Sequence, residues 1–117
     1  MQSDRELLEL AAKAAGLKIH AAHQAARDAM IDPQRASLWI VDVSTGWNPL
    51  TDDGDALRLV VKLKLHIGLE SHTVSAWESD RFGNFQTENF IGRDENDATR
   101  RAIVRAAASV AQAQEGK

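Results

Sequence analysis

Apolar positions along this chain change their period several times, and each change marks an element. Ser3 and Glu6 stand at capping-box spacing. Leu7, Leu8, Ala11, Ala14 and Ala15 then recur at the interval of one helix face until Gly16 offers a C-terminal stop. The alanines give this helix a low-relief face that another element can approach closely. From Leu17 to His23 the pattern weakens. Leu17-Lys18-Ile19-His20-Ala21 alternates as a short strand does, while the alanines that follow suit a helix, so residues 18–35 admit either. Asp32-Pro33-Gln34-Arg35 reads as a turn, and Leu38-Trp39-Ile40-Val41-Asp42-Val43 has the β-branched and aromatic density of a strand.

A second clear helix is predicted to begin around Thr51 to Asp53 and run through Leu57, Val60, Val61 and Leu63. Leu59 and Leu65 widen its apolar face, which predicts the central buried helix, and Gly68 marks the break beyond it. Thr73–Glu78 and Asn84–Ile91 then flank Ser79-Asp80-Arg81-Phe82-Gly83 as the two strands of a hairpin. Asp94-Glu95-Asn96-Asp97 caps a last helix, with Ala102, Ile103, Ala106, Ala107 and Val110 inward, Arg100, Arg101 and Arg105 largely outside, and a tail that frays from Gln112. The order α-β-β-α-β-β-α predicts an α+β fold, an antiparallel sheet of three to four strands covered by helices. At 117 residues the chain fits a single domain, 1–117.

Charge and composition narrow the partners. A net charge of -3 and a pI near 5.8 leave the chain without the basic footprint that gives affinity for duplex nucleic acid. The absence of cysteine removes disulfides, thiolate nucleophiles and cysteine-based zinc sites together, and points to the cytoplasm. The N-terminal residues show no export pattern. Arg58, Lys62 and Lys64 interrupt the longest apolar stretch well short of the ~20 residues that span a bilayer, so a soluble protein away from membranes is expected.

Candidate chemistry centres on Trp47-Asn48-Pro49-Leu50-Thr51-Asp52-Asp53-Gly54-Asp55-Ala56-Leu57-Arg58-Leu59, an aromatic turn feeding an acid-capped helix start. A structural reading accounts for each part. Pro49 stiffens the turn, Thr51 or Asp52 caps, Asp53 and Asp55 complement the helix dipole, and Trp47 packs on the sheet. A ligand reading gives Trp47 a stacking face, Asn48 a paired donor and acceptor, and Thr51, Asp52 and Asp53 contacts to hydroxyl or amino groups. The carboxylates occupy the positive helix end, which disfavours phosphate there. A nucleotide's phosphates would need arginines such as Arg58, Arg81, Arg93, Arg100 or Arg101, whose alternative role is a solvated surface. Asp52, Asp53 and Asp55 are oxygen donors, but their spacing is not that of an EF-hand, and His20, His23, His66 and His72 lack a zinc-protease context. No nucleophile elbow occurs, so no catalytic residue, metal or cofactor is assigned, and a metal-dependent phosphoesterase is a distant third reading. Around the hairpin tip, Trp77, Arg81, Phe82 and Phe85 mix aromatics with a guanidinium, a composition enriched where proteins meet partners.

Trp47 to Leu63, the run Ala98-Thr99-Arg100-Arg101-Ala102-Ile103-Val104-Arg105-Ala106-Ala107-Ala108 and the opening Asp4-Arg5-Glu6-Leu7-Leu8-Glu9-Leu10-Ala11 together resemble small phage and prophage proteins related to the NinX-like phage family of unknown function. The resemblance covers about half the chain and does not extend to Lys18–Arg35. It implies a phage accessory protein acting in the bacterial cytoplasm and no particular activity. By class analogy, such a protein counters host defence by sequestering a nucleotide-derived immune signal, or by binding a host defence protein as an inhibitor or adaptor. The leading expectation is a non-enzymatic binder of a small polar ligand. A single small domain rarely encloses a ligand alone, so a homo-oligomer is expected with it.

Overall fold

The computed structural model describes residues 2–32, 37–41, 45–79, 85–90 and 92–115, which form an α+β fold. Helix α1 (Asp4–Ala14) starts where the sequence predicts, with the Ser3 hydroxyl accepting from the Glu6 N–H at 3.2 Å. It stops at Gly16, whose φ of 75° lets its N–H reach the Lys13 carbonyl and brings the Leu17 N–H to the Ala12 carbonyl. That pair of bonds needs a left-handed residue, which glycine supplies without a Cβ clash.

The open segment contains a helix, α2 (Ala21–Met30), preceded by an isolated bridge between Ile19 and Ile40. The buried residue of α2 is polar. The Gln24 amide accepts from the Trp39 N–H at 2.6 Å and donates to the Ser37 carbonyl and the Asp28 carboxylate, while Met30 is 84% exposed. A helix held by an amide rather than by an apolar stripe leaves little periodicity in the sequence. Arg5 of α1 closes the attachment through a two-pronged pair with Asp28, at 3.0 and 2.6 Å, and that guanidinium holds the Asp28 carboxyl below its ordinary range.

Strands β1 (Leu38–Ile40) and β2 (Thr45–Trp47) form an antiparallel ribbon with Leu38 opposite Trp47, and it sends Leu38, Ile40 and Trp47 into the core. The end of the expected strand, Asp42 and Val43, lies outside the described residues. Helix α3 (Asp53–Leu63) then leads into a three-stranded antiparallel sheet, ordered β3 (Leu65–Leu69), β4 (Thr73–Glu78), β5 (Gln86–Asn89). The predicted break at Gly68 comes earlier, at Lys64, which takes left-handed angles of 56° and 51°. Leu65-His66-Ile67-Gly68-Leu69 alternates at period two, and pairing five residues with β4 while burying Leu65 outweighs the ~1–2 kcal/mol cost of that conformation.

The central helix is α4 (Glu95–Glu115), not α3, and it continues past the expected fraying point at Gln112. It packs against α1, α3 and both β4 and β5. Ala98, Ala102, Ala106, Ala107, Ala108 and Ala111 are all buried, so neighbours approach it from several sides. Arg100 and Arg101, expected largely outside, are mostly covered, with side chains 15% and 27% exposed. In α3 the inward residues are Asp55, Ala56 and Leu59. Leu57 and Val61, expected to face the core, are 62% and 60% exposed. One sheet face, with Val74 and Ala76, lies on α4; the other carries His66, Gly68, Thr73, Ser75, Trp77, Thr87 and Asn89. Among the described residues no helix is long and apolar enough to cross a membrane.

Candidate functional site

The turn from Trp47 to Arg58 is closed by its own polar groups. The Asn48 side chain accepts from the Leu50 N–H at 3.0 Å, and the Asn48 carbonyl accepts from the N–H groups of Thr51 and Asp52 and from the Thr51 hydroxyl. Asp52 caps α3 by accepting from the Asp55 N–H at 2.8 Å. Asp55, only 9% exposed, reaches back to the Asn48 N–H at 2.9 Å and takes the Arg58 guanidinium at 2.8 Å. Arg100 crosses from α4 to the Leu50 carbonyl and the Asp53 carboxylate, at 2.9 and 2.6 Å. The turn thus becomes a fastener between the ribbon, α3 and α4.

This arrangement corrects the expectation of a stacking role for Trp47. Trp47 is 6% exposed inside the core, so no stacking face is available to a base. Asn48, Thr51, Asp52 and Asp53 are occupied in the bonds above, as are Arg58 and Arg100. Asp52, Asp53 and Asp55 each have a separate partner, and among the described residues no group of three or more His, Asp or Glu is placed to hold a metal ion.

One predicted arginine lines a groove. Arg101, Arg105, Glu88, Gln2, Leu7 and Gln112 line a groove of roughly 710 Å³ between the start of α1, α4 and β5. Arg101 and Arg105 are one turn apart on α4, which places both guanidinium groups on one face. Arg101 holds Asp4 through two bonds of 3.0 and 3.2 Å, and Arg105 holds the Thr87 carbonyl and the Glu88 carboxylate. Glu88 also takes Arg93 at 2.6 Å. Burial of its side chain, 10% exposed, raises its pKa, but the hydrogen bonds from Arg93 and Arg105 outweigh that and hold the carboxyl below its ordinary value. The same contact raises the Arg93 pKa. One carboxylate therefore serves two cations, and the arginines are pre-oriented by acids at their edges.

Sequence reasoning had not singled out Glu88, Arg105, Gln2 or Gln112 for this groove. The spacing of Arg101 and Arg105 on α4 was visible, but their meeting with β5 and the start of α1 depends on tertiary packing.

No family model, curated protein or solved structure matches this chain.

A second surface lies on the sheet face turned away from α4. Trp77 stacks beside His66 at 5.5 Å with 10° between planes and meets Phe85 edge-on at 4.9 Å. The indole lies over Gly68, where a Cβ would stand in ordinary van der Waals contact at 3.5 Å from its outer ring. Ser75 and Thr87 share a hydroxyl contact of 2.8 Å on the same face. Of the residues expected at the partner surface, Trp77 and Phe85 are brought together, whereas Arg81 and Phe82 lie outside the described residues.

Proposed function

We propose that this chain is a non-enzymatic binding protein whose groove at Arg101 and Arg105 takes a small polar ligand bearing a phosphate or comparable anion. The observation carrying this reading is the pair of guanidinium groups, one turn apart, at the wall of a cavity of roughly 710 Å³ that also offers the amides of Gln2 and Gln112. The Arg101 bonds leave its Nε without a partner among the described residues, and the Arg105 bonds use one terminal nitrogen. The remaining N–H groups form a donor set suited to phosphate oxygens, and the amides suit hydroxyls or a base edge. A nucleotide-derived signal has this combination of anion and polar edges. The resemblance to phage proteins supports sequestration of such a signal, against host defence, as its use. Calorimetry with cyclic and linear nucleotides, with inorganic phosphate as control, tests the reading. Binding that is lost in Arg101→Gln/Arg105→Gln, with folding retained, supports it; absence of binding across the panel, or unchanged binding in the double variant, refutes it.

A second reading, docking to a host protein as inhibitor or adaptor, is favoured by the His66–Trp77–Phe85 cluster. The described residues of its sheet face include no Asp, Glu, Lys or Arg, as at the centres of protein interfaces. A stoichiometric host partner that is lost on Trp77→Ala, in a protein that still folds, would select this reading over ligand capture.

A further inference from the structure

The two edges of the three-stranded sheet are finished differently. Backbone bonds from Ser79 to Lys64 and from Glu70 to Thr73 set the phase of the β3–β4 ladder. His66 and Gly68 therefore turn their N–H and C=O groups toward β4, whereas Leu65, Ile67 and Leu69 turn theirs outward. Those outward groups have no partner among the described residues. At the other edge, Arg105 reaches across and occupies the outward carbonyl of Thr87. The β3 edge also lacks the usual protections: between Lys64 and Glu70 it has no proline, no Lys, Arg, Asp or Glu, and an unbroken register with β4.

We infer that the β3 edge pairs with the β3 edge of a second copy of this chain, antiparallel about a two-fold axis through Ile67, joining two sheets into one of six strands. The register follows from the chain. Centring on Ile67 sets Leu65 opposite Leu69 of the partner subunit, and all three outward-facing residues then fall in hydrogen-bonding positions, about six backbone bonds in total. The same register brings Lys64 near Glu70 of the partner subunit, and Glu70 near its Lys64, so opposite charges close both ends of the new ladder. His66 meets Gly68 of the partner subunit, where the absent Cβ relieves crowding. Shifting the register by one residue sets outward groups against inward-facing ones and loses the charge match.

Two apolar features support a second copy as the occupant. Leu69 is 67% exposed at the end of β3, and Leu57 and Val61 are exposed one turn apart on α3. Helices α3 and α4 both contact β3, and α4 continues over β4 and β5, so α3 lies toward the open edge of the sheet. A two-fold axis through β3 brings the two α3 helices together in the helical layer, where these leucines and valines cover one another. This surface lies at the opposite edge of the sheet from the groove and is independent of the ligand reading.

Sedimentation velocity over a dilution series, paired with residue-resolved amide exchange, tests the inference. The intact chain is expected to sediment as a dimer, with Ile67 and Leu69 amides protected in proportion to the dimer fraction. Leu69→Pro removes an outward donor without touching a bond to β4 and is expected to give a folded monomer. Glu70→Lys or Lys64→Glu alone is expected to weaken the dimer about tenfold, because the contact occurs twice, and the two together restore it. A monomer at all concentrations, fast exchange at Ile67 in a dimer, or a dimer undisturbed by Leu69→Pro overturns the inference. Circular dichroism on each variant separates loss of pairing from loss of fold.

Discussion

Replacing Glu88 with Gln removes one negative charge from between two arginines while keeping the side chain's shape. In the native protein this carboxylate takes Arg93 at 2.6 Å and also takes Arg105, with its own side chain 10% exposed and the arginines 31% and 37% exposed. A buried charged hydrogen bond contributes about 1.5–3 kcal/mol, whereas an exposed ion pair contributes about 0.2–1. Because both guanidinium groups keep access to water, the two contacts together are expected to give about 1–2 kcal/mol after screening. That loss corresponds to a fall in melting temperature of about 4–8 °C for a domain of this size. The effect carries a pH signature. The folded-state pKa of Glu88 is depressed below its ordinary 4.5, so the stabilisation is fully present above that value and disappears as pH falls through the depressed one. Urea unfolding of the native chain and Glu88→Gln, at neutral pH and at successive steps below pH 4.5, should show two midpoints that differ at neutrality and converge in acid. Equal midpoints at neutral pH would refute the assigned strength of the network. A gap that persists unchanged in acid would assign the loss to packing rather than charge.

Other substitutions probe the fastener and the core. Asp55→Ala deprives the Asn48 N–H and Arg58 of their acceptor and is expected to cost about 1–3 kcal/mol, with faster amide exchange at Asn48. Gln24→Leu leaves the Trp39 N–H without its side-chain acceptor, so it should destabilise by about 1–3 kcal/mol although it adds apolar volume, a sign opposite to simple hydrophobic burial that denaturant titration reads directly. Leu59→Ala, at a side chain 2% exposed, is expected to lose about 2–5 kcal/mol, whereas Leu57→Ala, at 62% exposure, should stay within about 0.5 in the monomer.

Features encoded within a few residues were legible before the fold was seen. Ser3 and Gly16 bound α1 because a cap and a left-handed stop are local devices, and Asp94 heads α4 by accepting from the Asn96 N–H. The alternation of Thr73–Glu78 and of the residues after it marks two neighbouring antiparallel strands by the same local logic. Features depending on distant partners were not legible. Helix α2 is held by Gln24 and Asp28, whose partners Trp39 and Arg5 lie 15 and 23 positions away. The end of α3 at Lys64 is decided by pairing with β4, which overrides the helical run of leucines and valines. Trp47 illustrates the difficulty at the candidate site: a tryptophan in a turn suits a ligand or a core equally well, and the core position was fixed by Leu38 across the ribbon. The arginines followed the same rule. Their spacing on α4 was readable, but whether each met an acid or open solvent depended on Asp4, Asp53 and Glu88, elsewhere in the chain.

Arg105 does more than line a groove. By occupying the outward Thr87 carbonyl it blunts the β5 end of the sheet, while β3 stays bare. A sheet with two bare ends can recruit copies indefinitely and grow into a fibre; a sheet with one bare end is satisfied after a single addition. On the inferred β3 pairing, the Arg105 bond to the Thr87 carbonyl leaves the outer edges of the pair with one acceptor fewer for a further strand, so the difference between the two edges favours a closed pair over open-ended growth.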